Sequence, residues 1–249
     1  RRREDAHRLF GRGLTMTACE TTRSRYTRVA IILHWAIATF IIFNLALGFF
    51  MEGFQMPLRL IAVSLHVSSG ITVLALTVIR VIWRLTHEPP PLPATLKLWE
   101  RRLAHAVHVF LYVGMVLVPL TGWAIISAHP RAGSAGAALA RSMPLPSPVL
   151  PNAPGGPGAP VGPGGPPPSK AWGLFALPAI TAIERIGETP GGVEPQKVLH
   201  EEFVTWHGLG GFMLLALLIL HVAGALKHQF IDRELELQRM GIGRSKSDG

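Results

Sequence analysis

Four histidines lie inside long apolar stretches of this sequence, where an ionisable side chain is costly and usually functional. They are His34, His66, His207 and His221. At such a depth an imidazole can bind a metal ion, relay protons or form a hydrogen bond to a neighbouring helix. The positions of the four relative to one another narrow this choice.

The apolar stretches that carry the histidines are long enough to cross a bilayer. A hydrocarbon core of roughly 30 Å needs about 20 apolar residues in a helix. The sequence predicts helices at about 29–51, 60–82, 104–127 and 203–226. Short links make neighbouring helices antiparallel, so the expected fold is an all-α, integral membrane, four-helix up-down bundle.

The charged residues indicate which side of the membrane each link faces. Eight arginines precede the first helix, and further basic residues cluster in the second link and after the fourth helix. The first link holds only Arg59 against Glu52. By the positive-inside rule both termini are cytoplasmic. The net charge of +9 is therefore explained by topology, and we expect no nucleic-acid partner.

The depths of the histidines pair them. His34 lies six residues inside Arg28, and His221 lies six residues inside Lys227, so both are near the inner face. His66 lies seven residues after Arg59, and His207 lies five residues after Glu202, so these two are at a similar membrane depth near the outer face.

Fourteen residues separate His207 from His221 on the fourth helix. At about 100° and 1.5 Å per residue, the two share one face within about 40° and lie about 21 Å apart. Ligands of one zinc or copper ion would converge on a single point. Two stacked iron porphyrins fit this spacing better, with His34 and His221 on the inner iron and His66 and His207 on the outer iron. Small residues next to His66 and His207 would admit a macrocycle, although close helix packing also explains them.

Three further residues are expected near the inner pair. Arg80 follows His66 by fourteen residues, and so shares its face at the inner depth, where propionates would give it a partner. His105 and His108 share one face of the third helix and are competing ligands, or propionate or quinone neighbours. At the outer end, His200 competes with His207.

The rest of the chain carries no further motif. Residues 1–25 form a basic cytoplasmic arm, and we expect residues 1–15 to be a mis-assigned start or a fragment edge. The membrane domain covers 26–240, with a Pro/Gly-rich periplasmic loop at about 129–200, followed by a tail at 241–249. Within that loop, residues 171–180 are expected on the outer membrane surface. Cys19 is the only cysteine, which excludes a disulfide, an iron-sulfur cluster and covalent c-type haem within one chain.

Several segments together resemble the bacterial cytochrome b561 family. They are YTRVAIILHW at 26–35, LHVSSG at 65–70, IRVIWRL at 79–85, LAHAVHVFLY at 103–112 and LHVAGALKHQFID at 220–232. The resemblance covers all four helices and places the family's ligand histidines on His34, His66, His207 and His221.

The resemblance implies electron transfer through two haem b groups, with exchange of electrons with the quinone pool, such as ubiquinone. One alternative is a superoxide:ubiquinone oxidoreductase, and another is an electron carrier for a periplasmic redox protein. A histidine-relay transporter without haem is the alternative from a different class. Lipid is a partner in every case.

Overall fold

The computed structural model describes residues 26–88, 90, 97–142, 169–233 and 236–241. Four long helices dominate it: α1 (Arg28–Phe50), α2 (Leu58–Thr86), α3 (Leu98–Ser127) and α6 (Val193–Phe230). Each is long and apolar enough to cross a membrane. The predicted all-α membrane architecture with four spans is therefore confirmed.

Two helices begin earlier in the chain than the apolar pattern predicted. The third begins at Leu98 instead of about 104, and the fourth at Val193 instead of about 203. The added turns contain charged residues such as Glu100 and Glu194. Hydropathy detects only the part of a helix that suits lipid, so a polar extension of the same helix escapes it.

Short elements connect the spans. A 3₁₀ turn (Met51–Gly53) follows α1, and α4 (Ala135–Ser142) follows α3. Strands β1 (Lys170–Ala171) and β2 (Phe175–Ala176) pair as an antiparallel hairpin. They are followed by α5 (Thr181–Glu184) and by two 3₁₀ turns (Arg185–Glu188 and Pro190–Gly192), and α7 (Glu236–Arg239) follows α6. The centre of the Pro/Gly tract, the basic arm at 1–25 and most of the tail lie outside the described residues.

The chain divides into two compact units, and each long helix contributes to both. Of the described residues, unit 1 comprises those up to 36, those within 78–110 and those from 217 onward, and unit 2 comprises those within 37–77 and 111–216. Unit 1 therefore contains His34 and His221, and unit 2 contains His66 and His207.

Polar contacts join the helix ends within unit 1. The Lys227 ammonium lies 2.8 Å from a Glu100 oxygen of α3 and 2.7 Å from an Asp232 oxygen. Lys227 and His228 together hold the pKa of the Asp232 carboxyl below its usual value. Trp35 donates its Nε1–H to the Met240 carbonyl oxygen at 2.9 Å, which brings the segment after α6 against α1.

Small polar residues form part of the interior of unit 2. Ser68 and Ser69 of α2 are buried, and their hydroxyls donate to the carbonyl oxygens of Ser64 and Leu65, each at 2.7 Å. Gln196, near the start of α6, is also buried and donates to the Ile183 carbonyl oxygen at 2.9 Å. These bonds satisfy polar groups that would otherwise be costly in an apolar interior.

Candidate haem-binding histidines

In unit 2, α2 and α6 bring His66 and His207 together. The centres of the two imidazole rings lie 5.8 Å apart, with the ring planes at 82°. His66 Nδ1 lies 3.1 Å from the Asn44 carbonyl oxygen, and His207 Nδ1 lies 3.0 Å from that of Val118. A carbonyl can only accept, so each Nδ1 carries the proton. Each Nε2 then has the free lone pair that a metal ligand needs.

Glycines of the neighbouring helices make room for these two rings. A Cβ added at Gly48 of α1 would lie 3.1 Å from His66 Cε1, and one added at Gly122 of α3 would lie 3.0 Å from His207 Cε1. Sequence reasoning missed both glycines, because it searched for small residues on the ligands' own helices. A glycine within an apolar run, at the depth of a histidine on another helix, is the signal that could have found them.

The glycines beside His207 on α6 fall into two groups. A Cβ added at Gly210 would press on Val118, so this glycine serves helix packing. A Cβ at Gly208 or Gly211 would meet no described atom within 4 Å. These last two positions leave space along α6 that a flat macrocycle could use.

In unit 1, α1 and α6 bring His34 and His221 together. Their ring centres lie 6.1 Å apart, with the planes at 67°. The Trp35 ring contacts His34 edge-on at 5.2 Å. The arrangement of this pair thus resembles that of His66 and His207.

Both separations suit two imidazoles on opposite sides of one metal. A metal–nitrogen bond is about 2.0 Å, and a ring centre lies roughly 1.2 Å behind the nitrogen, so the two centres should be about 6.4 Å apart. The observed 6.1 Å and 5.8 Å are close to this value. Among the described residues, no group of three or more His, Cys, Asp or Glu side chains could hold a metal ion. A haem iron takes only two ligands from the protein, and each histidine pair could provide two imidazole nitrogens.

The three residues expected near the inner pair behave differently. The His108 ring lies 4.9 Å from the His221 ring, and its Nδ1 donates to the Ala104 carbonyl oxygen at 2.6 Å. Arg80 donates to the Ala30 carbonyl oxygen at 3.0 Å and lies within electrostatic reach of His34 and His221. The side chains of His105 and His108 are both exposed, and that of Arg80 is half-buried.

At the other end of α6, the structure separates the two competing histidines. The ring of His200 contacts that of His129 at 5.2 Å, whereas His66 contacts His207. His207, and not His200, therefore faces the histidine of α2.

Comparisons with known proteins agree with the resemblance found in the sequence. Residues 25–243 match the family described as Prokaryotic cytochrome b561. Cytochrome b561 homolog 2 of Escherichia coli strain K12 is 26% identical over 234 residues, which cover 91% of this chain and 96% of that protein. The chain belongs to the prokaryotic cytochrome b561 family, and membership implies a membrane protein that binds haem b and transfers electrons.

Proposed function

We propose that the chain is a di-haem b-type cytochrome of the bacterial cytoplasmic membrane that exchanges electrons with the quinone pool, for example with ubiquinone. The observation that carries this proposal is the presence of two separate histidine pairs, each with the ring separation of axial imidazoles. In this proposal, His34 and His221 hold the inner haem iron, and His66 and His207 hold the outer haem iron.

The side chains have distinct tasks in this scheme. When bound, each haem iron would change between its ferric and ferrous states and so carry one electron. The backbone acceptors of Asn44 and Val118 keep the His66 and His207 rings in the ligating tautomer. Two imidazoles from the protein on each iron would suit electron transfer more than oxygen activation.

Charged and polar residues near His34 and His221 would serve the inner haem. Arg80 would pair with a propionate, and its position within electrostatic reach of both histidines supports this role. His108, which contacts His221, is a propionate or quinone neighbour. His105 is proposed in the same role.

A redox-difference spectrum of the purified protein tests the haem proposal. We expect a red protein whose reduced α-band is typical of haem b. A histidine-relay transporter would purify colourless, so a colourless, folded protein would contradict the proposal.

The source of the electrons distinguishes an oxidase from a passive carrier. In a superoxide:ubiquinone oxidoreductase, two superoxide anions each give up one electron and leave as O₂. One quinone then takes up both electrons and two protons. Stopped-flow mixing of oxidised protein with superoxide should reduce the haem faster than the chemical background if this activity exists. Reduction no faster than background would favour the carrier, which receives electrons from a periplasmic redox protein.

A further inference from the structure

The β1–β2 hairpin is attached to the middle of α2 and not to its end. The Trp172 backbone N–H donates to Ser68 Oγ at 2.8 Å, and the indole Nε1–H donates to Thr72 Oγ1 at 3.0 Å. Ser68 lies nine residues after Arg59, or about 13 Å further along the helix. Half of a hydrocarbon core is about 15 Å, so these two bonds are formed at membrane depth.

A contact with α1 places Trp172 at the same membrane depth as its contacts with α2 do. The Trp172 ring contacts the Phe40 ring of α1 at 6.2 Å between centres. Phe40 lies ten residues before the end of α1 at Phe50, a distance of about 15 Å along the helix. Two helices therefore agree that Trp172 lies well below the ends of the spans.

The residues that follow the hairpin lie nearer the membrane surface, at the end of α3. Trp123 donates its Nε1–H to the Pro178 carbonyl oxygen at 2.8 Å, and the Ile180 N–H donates to Ser127 Oγ at 3.0 Å. Ser127 is the last residue of α3. Within residues 169–178, Pro178 therefore lies near the end of a membrane-spanning helix, and Trp172 lies at the membrane depth of His66 and His207.

Two backbone hydrogen bonds close this segment on itself, which suits a segment at membrane depth, where unpaired backbone groups are costly. The Leu174 N–H donates to the Ala171 carbonyl oxygen at 2.9 Å, and the Leu177 N–H donates to that of Ser169 at 2.8 Å. Trp172 and Gly173 have φ values of 52° and 71°, a combination found in type I′ turns. The left-handed conformation is unfavourable for Trp172, and its two bonds to α2 can offset this.

The tip of the hairpin is apolar and exposed. Leu174 is 82% exposed, Phe175 54% and Trp172 43%. Lys170 stands at the start of β1, where its long side chain can extend toward the headgroups. We propose that residues 169–178 form a re-entrant hairpin embedded in the outer leaflet, with Leu174 and Phe175 in contact with lipid acyl chains. This proposal needs the membrane orientation given above, but it does not depend on haem.

Spin labels at single cysteines test this placement. Cys19 is first replaced by Ala in the full-length chain, and Leu174→Cys is then labelled and reconstituted into phosphatidylcholine vesicles. Power saturation compares the access of oxygen, which concentrates in lipid, with that of a water-soluble nickel chelate. We expect the label at 174 to favour oxygen several-fold, as a label at Ile42→Cys, a lipid-facing position of α1, should also do. A label at Gly191→Cys, where an added Cβ meets no described atom within 4 Å, should favour the nickel chelate.

Two outcomes would overturn the proposal. Equal nickel access at positions 174 and 191 would place the hairpin in water. Low access of both reagents at 174 would place it under protein, such as a second copy of the chain. The visible spectrum of the same samples reports haem and far-UV circular dichroism reports folding, so a failure of the haem proposal is distinguishable from a failure of this one.

Discussion

His66 and His207 are held by backbone groups, whereas His34 and His221 lie among charged and titratable side chains. Each Nδ1 of the first pair donates to a carbonyl oxygen of a neighbouring helix, and a glycine lies against each ring. His221 of the second pair contacts His108, and Arg80 acts on both members electrostatically. A steric substitution should therefore perturb the first pair, and a change of charge should perturb the second.

Gly122→Ala tests the steric part. Its methyl group would lie 3.0 Å from His207 Cε1, closer than an ordinary contact, so the ring must move. We expect a lower content of the haem held by His66 and His207, or a shifted reduction potential for it. Redox titration followed by visible spectroscopy measures both. Gly53→Ala, which adds a methyl group with no described atom within 4 Å, is the control and should titrate like the wild type.

Arg80→Gln tests the part played by charge. A nearby cation favours the reduced, less positive haem, so its removal should lower the midpoint potential of the haem held by His34 and His221. The expected shift is on the order of 50 mV, since 59 mV is a tenfold change in equilibrium constant for one electron. Arg59→Gln, in unit 2, should leave that midpoint in place. An unchanged midpoint in Arg80→Gln would contradict a role for this residue at the inner haem.

At the scale of helices, the features that depend on local composition could be predicted from the sequence. The four spans follow from continuous apolar runs, and the histidine pairs follow from depth counted along those runs. The early start of α3 at Leu98 did not follow, because Glu100 and its charged neighbours interrupt the apolar signal while the helix continues.

Contacts between segments distant in sequence could not be predicted in this way. Gly48 and Gly122 lie on different helices from the histidines that they contact. Trp172 is 100 residues away from Thr72, its hydrogen-bond partner. Residues 171–180 were expected on the membrane surface from their own composition, which carried no information about the bonds from Trp172 to Ser68 and Thr72 of α2.

Trp172→Phe tests how the hairpin is attached. The substitution keeps an aromatic ring near Phe40 but removes the bond from Nε1 to Thr72 Oγ1. We expect the free energy of unfolding to fall by about 1 kcal/mol, the usual net contribution of one hydrogen bond. Thermal unfolding in detergent, followed by the loss of haem absorbance, measures the change. Trp99→Phe, at an exposed position of α3, is the matched control, and an equal loss in both variants would contradict the attachment.

For the whole molecule, the distribution of charge predicts orientation. Basic residues gather before α1, around the link from α2 to α3, and after α6, while the link from α1 to α2 carries few. The orientation of the termini is a prediction from this asymmetry.

Reporter fusions test that orientation. Green fluorescent protein fused after Gly249 should fluoresce, because it matures in the cytoplasm. Alkaline phosphatase fused after Pro190 should be active, because it needs the periplasm. Fusions of both reporters after Pro90 provide the comparison and should behave like those after Gly249. An active phosphatase at Gly249 would reverse the predicted topology.

The proposed electron transfer requires two haems, each held by one of the two histidine pairs. A pyridine haemochrome count on the purified wild type and on the His34→Ala, His221→Ala, His66→Ala and His207→Ala variants measures this directly. We expect two haems per chain in the wild type and one in each variant. His34→Ala and His221→Ala should share one residual redox-difference spectrum, and His66→Ala and His207→Ala should share another. Two haems retained in all four variants would contradict the assignment of these ligands.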